Sequence, residues 1–349
     1  GQVVERVSTP WTRDDARTLA ALSAAGLVFV AALLLATTPP DALTALDSYS
    51  VTRYNVIAGA IGIVAALLVT ATSAVMTRKY PQASGIALAH TVPFLTAASA
   101  LRLSQSHWDT AGWGWTGLGL LIGSLAVLAL PKRYRISIAA PLVVGTVLAA
   151  TGLLVRLGQL SQAGISAILF ALVIVLLQVA PWIALAHIPV RILDADTTEQ
   201  IPAKGITDQV STSFVFVVAL RAGGAIAALF LAVALMTAPE TRSVSLPLTL
   251  IVLGAVSLVL QTRSIRARVE VLLGALTGLI VILVAAVLGA YADPRTMPWL
   301  TLSAIATALV LVITNVVGPR ARPHLTRIAD TISVLSLFVL LPLAVYLWS

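Results

Sequence analysis

The chain has 349 residues, of which 59% are hydrophobic and only 10% charged, with a formal net charge of +8 and a mean hydropathy of +0.99. A soluble domain carries about 25% charged residues, so one aqueous core cannot hold this much apolar surface and the bilayer must act as its solvent. The sequence has no cysteine, which excludes disulfides, thiolate metal sites and cysteine nucleophiles.

Read from the N-terminus, residues 1–17 are polar and mixed in charge, and they predict a cytoplasmic linker. Apolar stretches long enough to span a bilayer then follow at 18–36, 55–76, 82–102, 112–130, 135–156, 163–185, 211–236, 245–262, 270–291, 298–317 and 326–347. A span needs about 20 apolar residues, which gives about eleven. Lipid leaves no water to satisfy backbone groups, and strand alternation is absent, so all of them are expected to be helices. The predicted fold is an all-α, polytopic transmembrane domain over 18–349.

Lys and Arg set the expected orientation. Alternate breaks are basic: Arg78-Lys79, Lys132-Arg133 with Arg135, Arg191 with Lys204, Arg263 with Arg266 and Arg268, and Arg320 with Arg322 and Arg327. The intervening breaks carry only Arg53, Arg102, Arg156, Arg242 and Arg295. Positive-inside therefore predicts a cytoplasmic N-terminus and a C-terminus outside. Trp108, Trp113, Trp115, Trp299 and Trp348 fall at the expected outer interface, and Trp11 and Trp182 at the inner one. Amphipathic rings favour the headgroup level, so these are read as anchors.

The longest polar break is 187–210, HIPVRILDADTTEQIPAKGITDQV. It carries Arg191, Asp194, Asp196, Glu199, Lys204 and Asp208. Asp194-Ala-Asp196 has the form of a divalent-metal pair. A metal-dependent transferase would need a soluble domain around such a pair, and this segment is too short to form one. The expected role is docking and linking on the cytoplasmic side.

Ionisable groups inside spans mark transport or catalysis. No Asp or Glu falls in the middle of a predicted span. Arg221 interrupts the seventh span, and His90 lies three residues before Pro93. For Arg221 a protein-facing contact or snorkelling is expected ahead of a ligand role. For His90 a hydrogen bond to a neighbouring helix is expected, and Gln178 and Asn315 are read the same way. The four histidines, at 90, 107, 187 and 324, form no helical i, i+4 pair, so no haem, zinc or other cofactor is expected. Gly119-xxx-Gly123 and Gly274-xxx-Gly278 predict close helix packing, within the chain or against a second copy. No nucleophile elbow, P-loop or HExxH motif occurs. Asp41 and Asp47, in the first outer break, leave a lipid-linked glycosyltransferase as an alternative, beside a lipid or small-molecule transporter.

In APWIALAHIPVRILDADT, residues Pro181, Trp182, Ala184, Leu185 and Ile188-Pro189-Val190 resemble the end of the sixth span and the following segment of the EccD family. The basic break LQTRSIRARVEVLLGALTG, 260–278, is similar to that family's Arg-rich link between spans eight and nine. EccD proteins are the multi-spanning component of the mycobacterial type VII (ESX) secretion system. The resemblance implies a non-enzymatic scaffold in the inner (plasma) membrane. It also implies pairing with a second copy around a lipid-filled space, beside the ATPase EccC and the subunits EccB and EccE. No nucleic acid is expected as a partner. The family begins with a ubiquitin-like cytoplasmic domain, to which 1–17 would be the trailing linker. The cytoplasmic residues above, with Arg263, Arg266 and Arg268, become the expected partner-facing set, and His90 and Arg221 the intramembrane polar set.

Overall fold

The computed structural model describes residues 13–37, 48–79, 84–105, 110–126, 128, 135, 138–186, 203–240, 244–261, 268–298, 300–302, 305, 309 and 322–348. Among them every long element is an α-helix. They are α1 (Arg13–Thr37), α2 (Ser48–Lys79), α3 (Ser84–Leu103), α4 (Thr110–Ala126), α5 (Ala139–Gly158), α6 (Gln162–Ala186), α7 (Ala203–Met236), α8 (Ser245–Gln261), α9 (Arg268–Ala292) and α10 (Arg322–Trp348). A short 3₁₀ turn, Pro294–Thr296, follows α9. Helical residues at 300–302, 305 and 309 fall where the sequence predicts a further span. Among the described residues eight helices are long and apolar enough to cross a membrane, and Ser245–Gln261 is a shorter apolar one. Each predicted span up to 291, and the last, coincides with one of the ten helices.

Two boundaries differ from the sequence reading. Helix α1 begins at Arg13, inside the predicted linker. Helix α7 begins at Ala203, so the last part of the predicted polar loop, 203–210, is helical. At 34 residues α7 is about 51 Å long, well beyond a hydrocarbon core of about 30 Å. Its polar first turns suit water rather than lipid.

The chain divides into two compact units, Gly1–Gly152 and Leu153–Ser349, with the division falling inside α5. In the first unit α3 is the hub and packs against α1, α2 and α4. Its sequence is rich in Ala, Ser and Thr, so neighbours approach on several sides at once. Leu88, Ala89, Val92, Leu95, Ala98 and Leu101 are all buried. Pro93 lies within α3, which runs through it. Phe29 of α1 meets Phe94 of α3 edge-on, with centroids 5.3 Å apart. The outer face of α1 is bare, and Leu27 is 70% exposed, as suits a helix in contact with lipid.

In the second unit α6 packs on α7, α8 and α10, while α9 packs on α7 and α8. Here the core is built of large side chains. Phe170, Ile174, Leu231, Leu235, Leu250 and Ile251 are fully buried. Lipid tails are as apolar as Leu, so this burial stabilises through packing rather than through water release.

Candidate functional site

Of the glycines in the two spaced pairs, Gly119, Gly123 and Gly278 pack within the chain. A methyl group added at Gly119 would lie 2.6 Å from the Thr96 carbonyl oxygen, and one at Gly123 2.6 Å from Pro93 Cα. Both contacts join α4 to α3, and the Thr96 hydroxyl reaches the Gly119 carbonyl at 2.8 Å across the same crossing. Gly278 of α9 is seated against Val259 and the Ala255 carbonyl of α8.

Over α3, between α2 and α4, the first unit leaves an apolar groove of about 570 Å³, with Leu67, Val92, Ala100, Trp115 and Ile122 among its walls. Its hydroxyls are turned to the backbone. Thr70 donates to Ala66 O at 2.7 Å and Ser104 to Leu101 O at 2.8 Å. The groove therefore presents hydrocarbon.

His90 is half-buried. Its Nδ1 lies 2.7 Å from the Ile86 carbonyl, one turn back on its own helix, so this nitrogen carries the proton. The expected bond to a neighbouring helix is replaced by a local one, because the freely turning imidazole finds a carbonyl four residues away. Gln178 behaves as expected and donates from Nε2 on α6 to Ser257 Oγ on α8.

Arg102, which the sequence offers only as a marker of orientation, ties three helices together. Its Nε donates to the Leu35 carbonyl of α1 at 2.5 Å and its Nη1 to Asn55 Oδ1 of α2 at 3.3 Å. Leu35 is in the last turn of α1, where carbonyls lack helical donors and favour a cation.

The second unit holds two polar layers. At one end Gln162 Nε2 of α6 donates to Ala234 O of α7 at 2.8 Å, and the Gln162 backbone N–H reaches Glu240 Oε1 at 3.5 Å. At the other, Gln178 bonds Ser257, and Gln261 Nε2 donates to the Gln178 carbonyl at 3.1 Å. Gln162 and Gln178 are 178 − 162 = 16 residues apart on one helix, or about 24 Å. The core of large apolar side chains lies between them. The spacing is a little under the thickness of a hydrocarbon core.

Arg221 belongs to the second layer. It is 5% exposed and lines a cleft of about 20 Å³ with Leu177, Leu258, Gln261, Leu273, Gly274 and Thr277. Gln261 is the last residue of α8. Arg221 lies well inside the apolar stretch Ser213–Met236 of α7, and its side chain is enclosed by protein. Of the two sequence readings this favours a residue buried near mid-helix and facing protein over one that snorkels.

Lys204 and Asp208 lie in the first turns of α7, and Arg268 opens α9. Their side chains, and all of Arg191, Asp194, Asp196, Glu199, Arg263, Arg266, Asp41, Asp47 and Asn315, fall outside the described residues. His90 and Arg221 belong to different compact units. Among the described residues no group of three His, Cys, Asp or Glu side chains gathers as a metal site.

Long apolar helices, with buried polar groups engaged in helix-to-helix and helix-end bonds, define a multi-pass membrane protein built for packing. The family model of the EccD-like transmembrane domain matches residues 16–349, and the chain belongs to the EccD family. It is accordingly a multi-pass inner-membrane protein and a structural, non-enzymatic subunit of a type VII secretion system.

Two solved structures share the fold. Protomer 1 of the ESX-3 core complex aligns with a TM-score of 0.72 at 18% identity, over 99% of this chain and 78% of that one. A chain of the MycP5-free ESX-5 inner membrane complex in state II aligns with a TM-score of 0.63 at 15% identity, over 88% of this chain and 74% of that one. No curated protein matches the sequence.

Proposed function

We propose that the chain is the membrane scaffold on which a type VII export complex is assembled, and that it holds the export ATPase at the membrane. The observation that carries this reading is the EccD-like match over 16–349. Helices whose polar groups serve packing support it. The expected partners are a second copy, the ATPase EccC, the subunits EccB and EccE, and membrane lipid. The N-terminus faces the cytoplasm and the C-terminus the outside, as the alternation of basic breaks implies. Arg191, Asp194, Asp196, Glu199, Lys204 and Asp208, with Arg263, Arg266 and Arg268, then form the cytoplasmic docking set.

Purification from native membranes in mild detergent tests the assembly. Recovery with an ATPase and further membrane subunits is expected, and recovery of the chain as a lone monomer would overturn the reading. Orientation is tested separately. The sequence has no cysteine, so an Asp194→Cys variant carries a single thiol. That thiol should resist an impermeant maleimide in intact cells and react once the membrane is opened. Labelling in intact cells would reverse the orientation.

A further inference from the structure

The groove over α3 in the first unit has a register, a length and a lining that define its occupant. Gly59 and Gly62 of α2 lie against Leu103 and Ser99 of α3, and Gly119 and Gly123 of α4 against Ala100 and Pro93. Both neighbours therefore run antiparallel to α3. One end of the groove is formed by Leu103, Ser104 and Trp115, where the apolar stretch Gly85–Leu103 of α3 stops. The other is formed by Thr70, Val92 and Ile122, deeper in the helices. Trp115 is 43% exposed, and an indole favours the headgroup level, so its end is the mouth.

From Val92 to Leu103 the groove covers 103 − 92 = 11 residues of α3, or about 17 Å. One leaflet is half of a hydrocarbon core of about 30 Å, or about 15 Å. Over about 17 Å, the volume of about 570 Å³ gives a cross-section of about 34 Å², while a helix about 10–12 Å across needs roughly 80–110 Å². A hydrocarbon chain fits this space, and a spanning helix of another subunit does not. The lining agrees. Thr70, Thr96 and Ser104 donate their hydroxyls to backbone carbonyls. Arg102, next to the mouth in sequence, is committed to Leu35 and Asn55. The groove therefore reads a tail and not a headgroup. Lipid tails are as apolar as Leu, so what holds a chain here is packing against fixed walls rather than release of water.

We infer that this groove is a resident site for one acyl chain of a membrane phospholipid, which enters from the leaflet at which α3 ends and is held by its length rather than by its headgroup. Only the name of that leaflet, outer, rests on the orientation proposed above. The walls are α2, α3 and α4 of a single chain, so the site needs no second copy. The acyl chain would fill the gap between α2 and α4, both of which pack on α3.

The test uses the purified complex in nanodiscs of phosphatidylcholine, part of it carrying a diazirine at the end of one acyl chain. The complex is released into detergent, washed free of loosely held lipid, and irradiated. Peptide mass spectrometry should find adducts near Thr70, Val92 or Ile122. At Leu27 and Phe338, which are 70% and 74% exposed, adducts should be about tenfold fewer, a preference of about 1.4 kcal/mol. Ala100→Leu raises the groove floor and should abolish the groove adducts. Ile122→Trp obstructs the groove from a wall position that is 64% exposed; it should do the same, and it decides the matter if Ala100→Leu does not fold. Phosphatidylglycerol with the same chains should compete with the labelled lipid as well as phosphatidylcholine does. Didecanoyl phosphatidylcholine, whose tails are too short to reach Val92, should compete poorly. Adducts spread evenly over the outer faces, none at the groove, unchanged adducts in the folded variants, or competition set by headgroup rather than chain length would each overturn the assignment.

Discussion

The two compact units serve the same solvent by different packing. In the first, the glycines at the crossing of α4 and α5 bring backbone against backbone. A methyl group at Gly117 would lie 2.7 Å from the Gly145 carbonyl and 2.8 Å from Ala149 Cα, and one at Gly152 2.5 Å from the Thr110 carbonyl. In the second, two glycines on α7 and α8 face side chains instead. Gly254 is opposite the rim of the Phe170 ring, and Gly224 is opposite the end of Leu177. A side chain can turn aside and a helix backbone cannot. The lesson is that small-residue spacing alone does not say how strictly a glycine is required. What lies opposite does.

The sharpest way to break this comparison is to make the same substitution in both units. Gly117→Ala forces α4 away from α5 and should cost about 3 kcal/mol or more, at the upper end of overpacking. Gly254→Ala asks only that Phe170 shift, and should cost roughly 1 kcal/mol. Melting temperatures of the purified variants should show a large drop for the first and a small one for the second. Equal drops would mean that the units are packed alike.

A smaller effect concerns the polar fastenings. Arg102→Ala removes two bonds from a charged donor, one of them to a helix-end carbonyl, and should cost about 1.5–3 kcal/mol. Gln178→Ala removes a side-chain bond between helices, for which about 0.6–2 kcal/mol is typical in membranes. The first unit should therefore depend more on Arg102 than the second does on this amide. Thermal melts rank them, and a larger loss for Gln178→Ala would reverse the order.

Much of this was legible before any coordinates. A bilayer demands about 20 apolar residues per helix, and that requirement places the spans within a few residues. The Gly119 and Gly123 spacing announced a close approach, but a spacing cannot name the partner helix. Arg221 was ambiguous because its burial depends on the α8 and α9 residues packed around it, which belong to different segments. Arg102 was missed for a related reason. Its partner carbonyl is Leu35, 67 residues earlier, and a lone arginine in a break reads as a marker of orientation. The early start of α7 was hidden by its polar residues, which look like loop but suit a helix that stands out into water.

The smallest expected effect on folding concerns the feature that first suggested catalysis. Asp194 and Asp196 lie in sequence between α6 and α7. Replacing both with Asn removes two charges and keeps their shape. A substitution away from cores and caps typically stays within about 0.5 kcal/mol, so for the proposed docking link the melting temperature should hold. What can change is docking, because carboxylates at a rim steer encounter with a basic partner and are screened by salt. The double variant should therefore release the ATPase at lower salt than the wild type when the complex is washed on a column. An unchanged salt profile would remove these carboxylates from the docking set. A fall in melting temperature as large as that of Gly117→Ala would mean that the segment is part of the packed fold, and the division between a membrane scaffold and its cytoplasmic docking link would have to be redrawn.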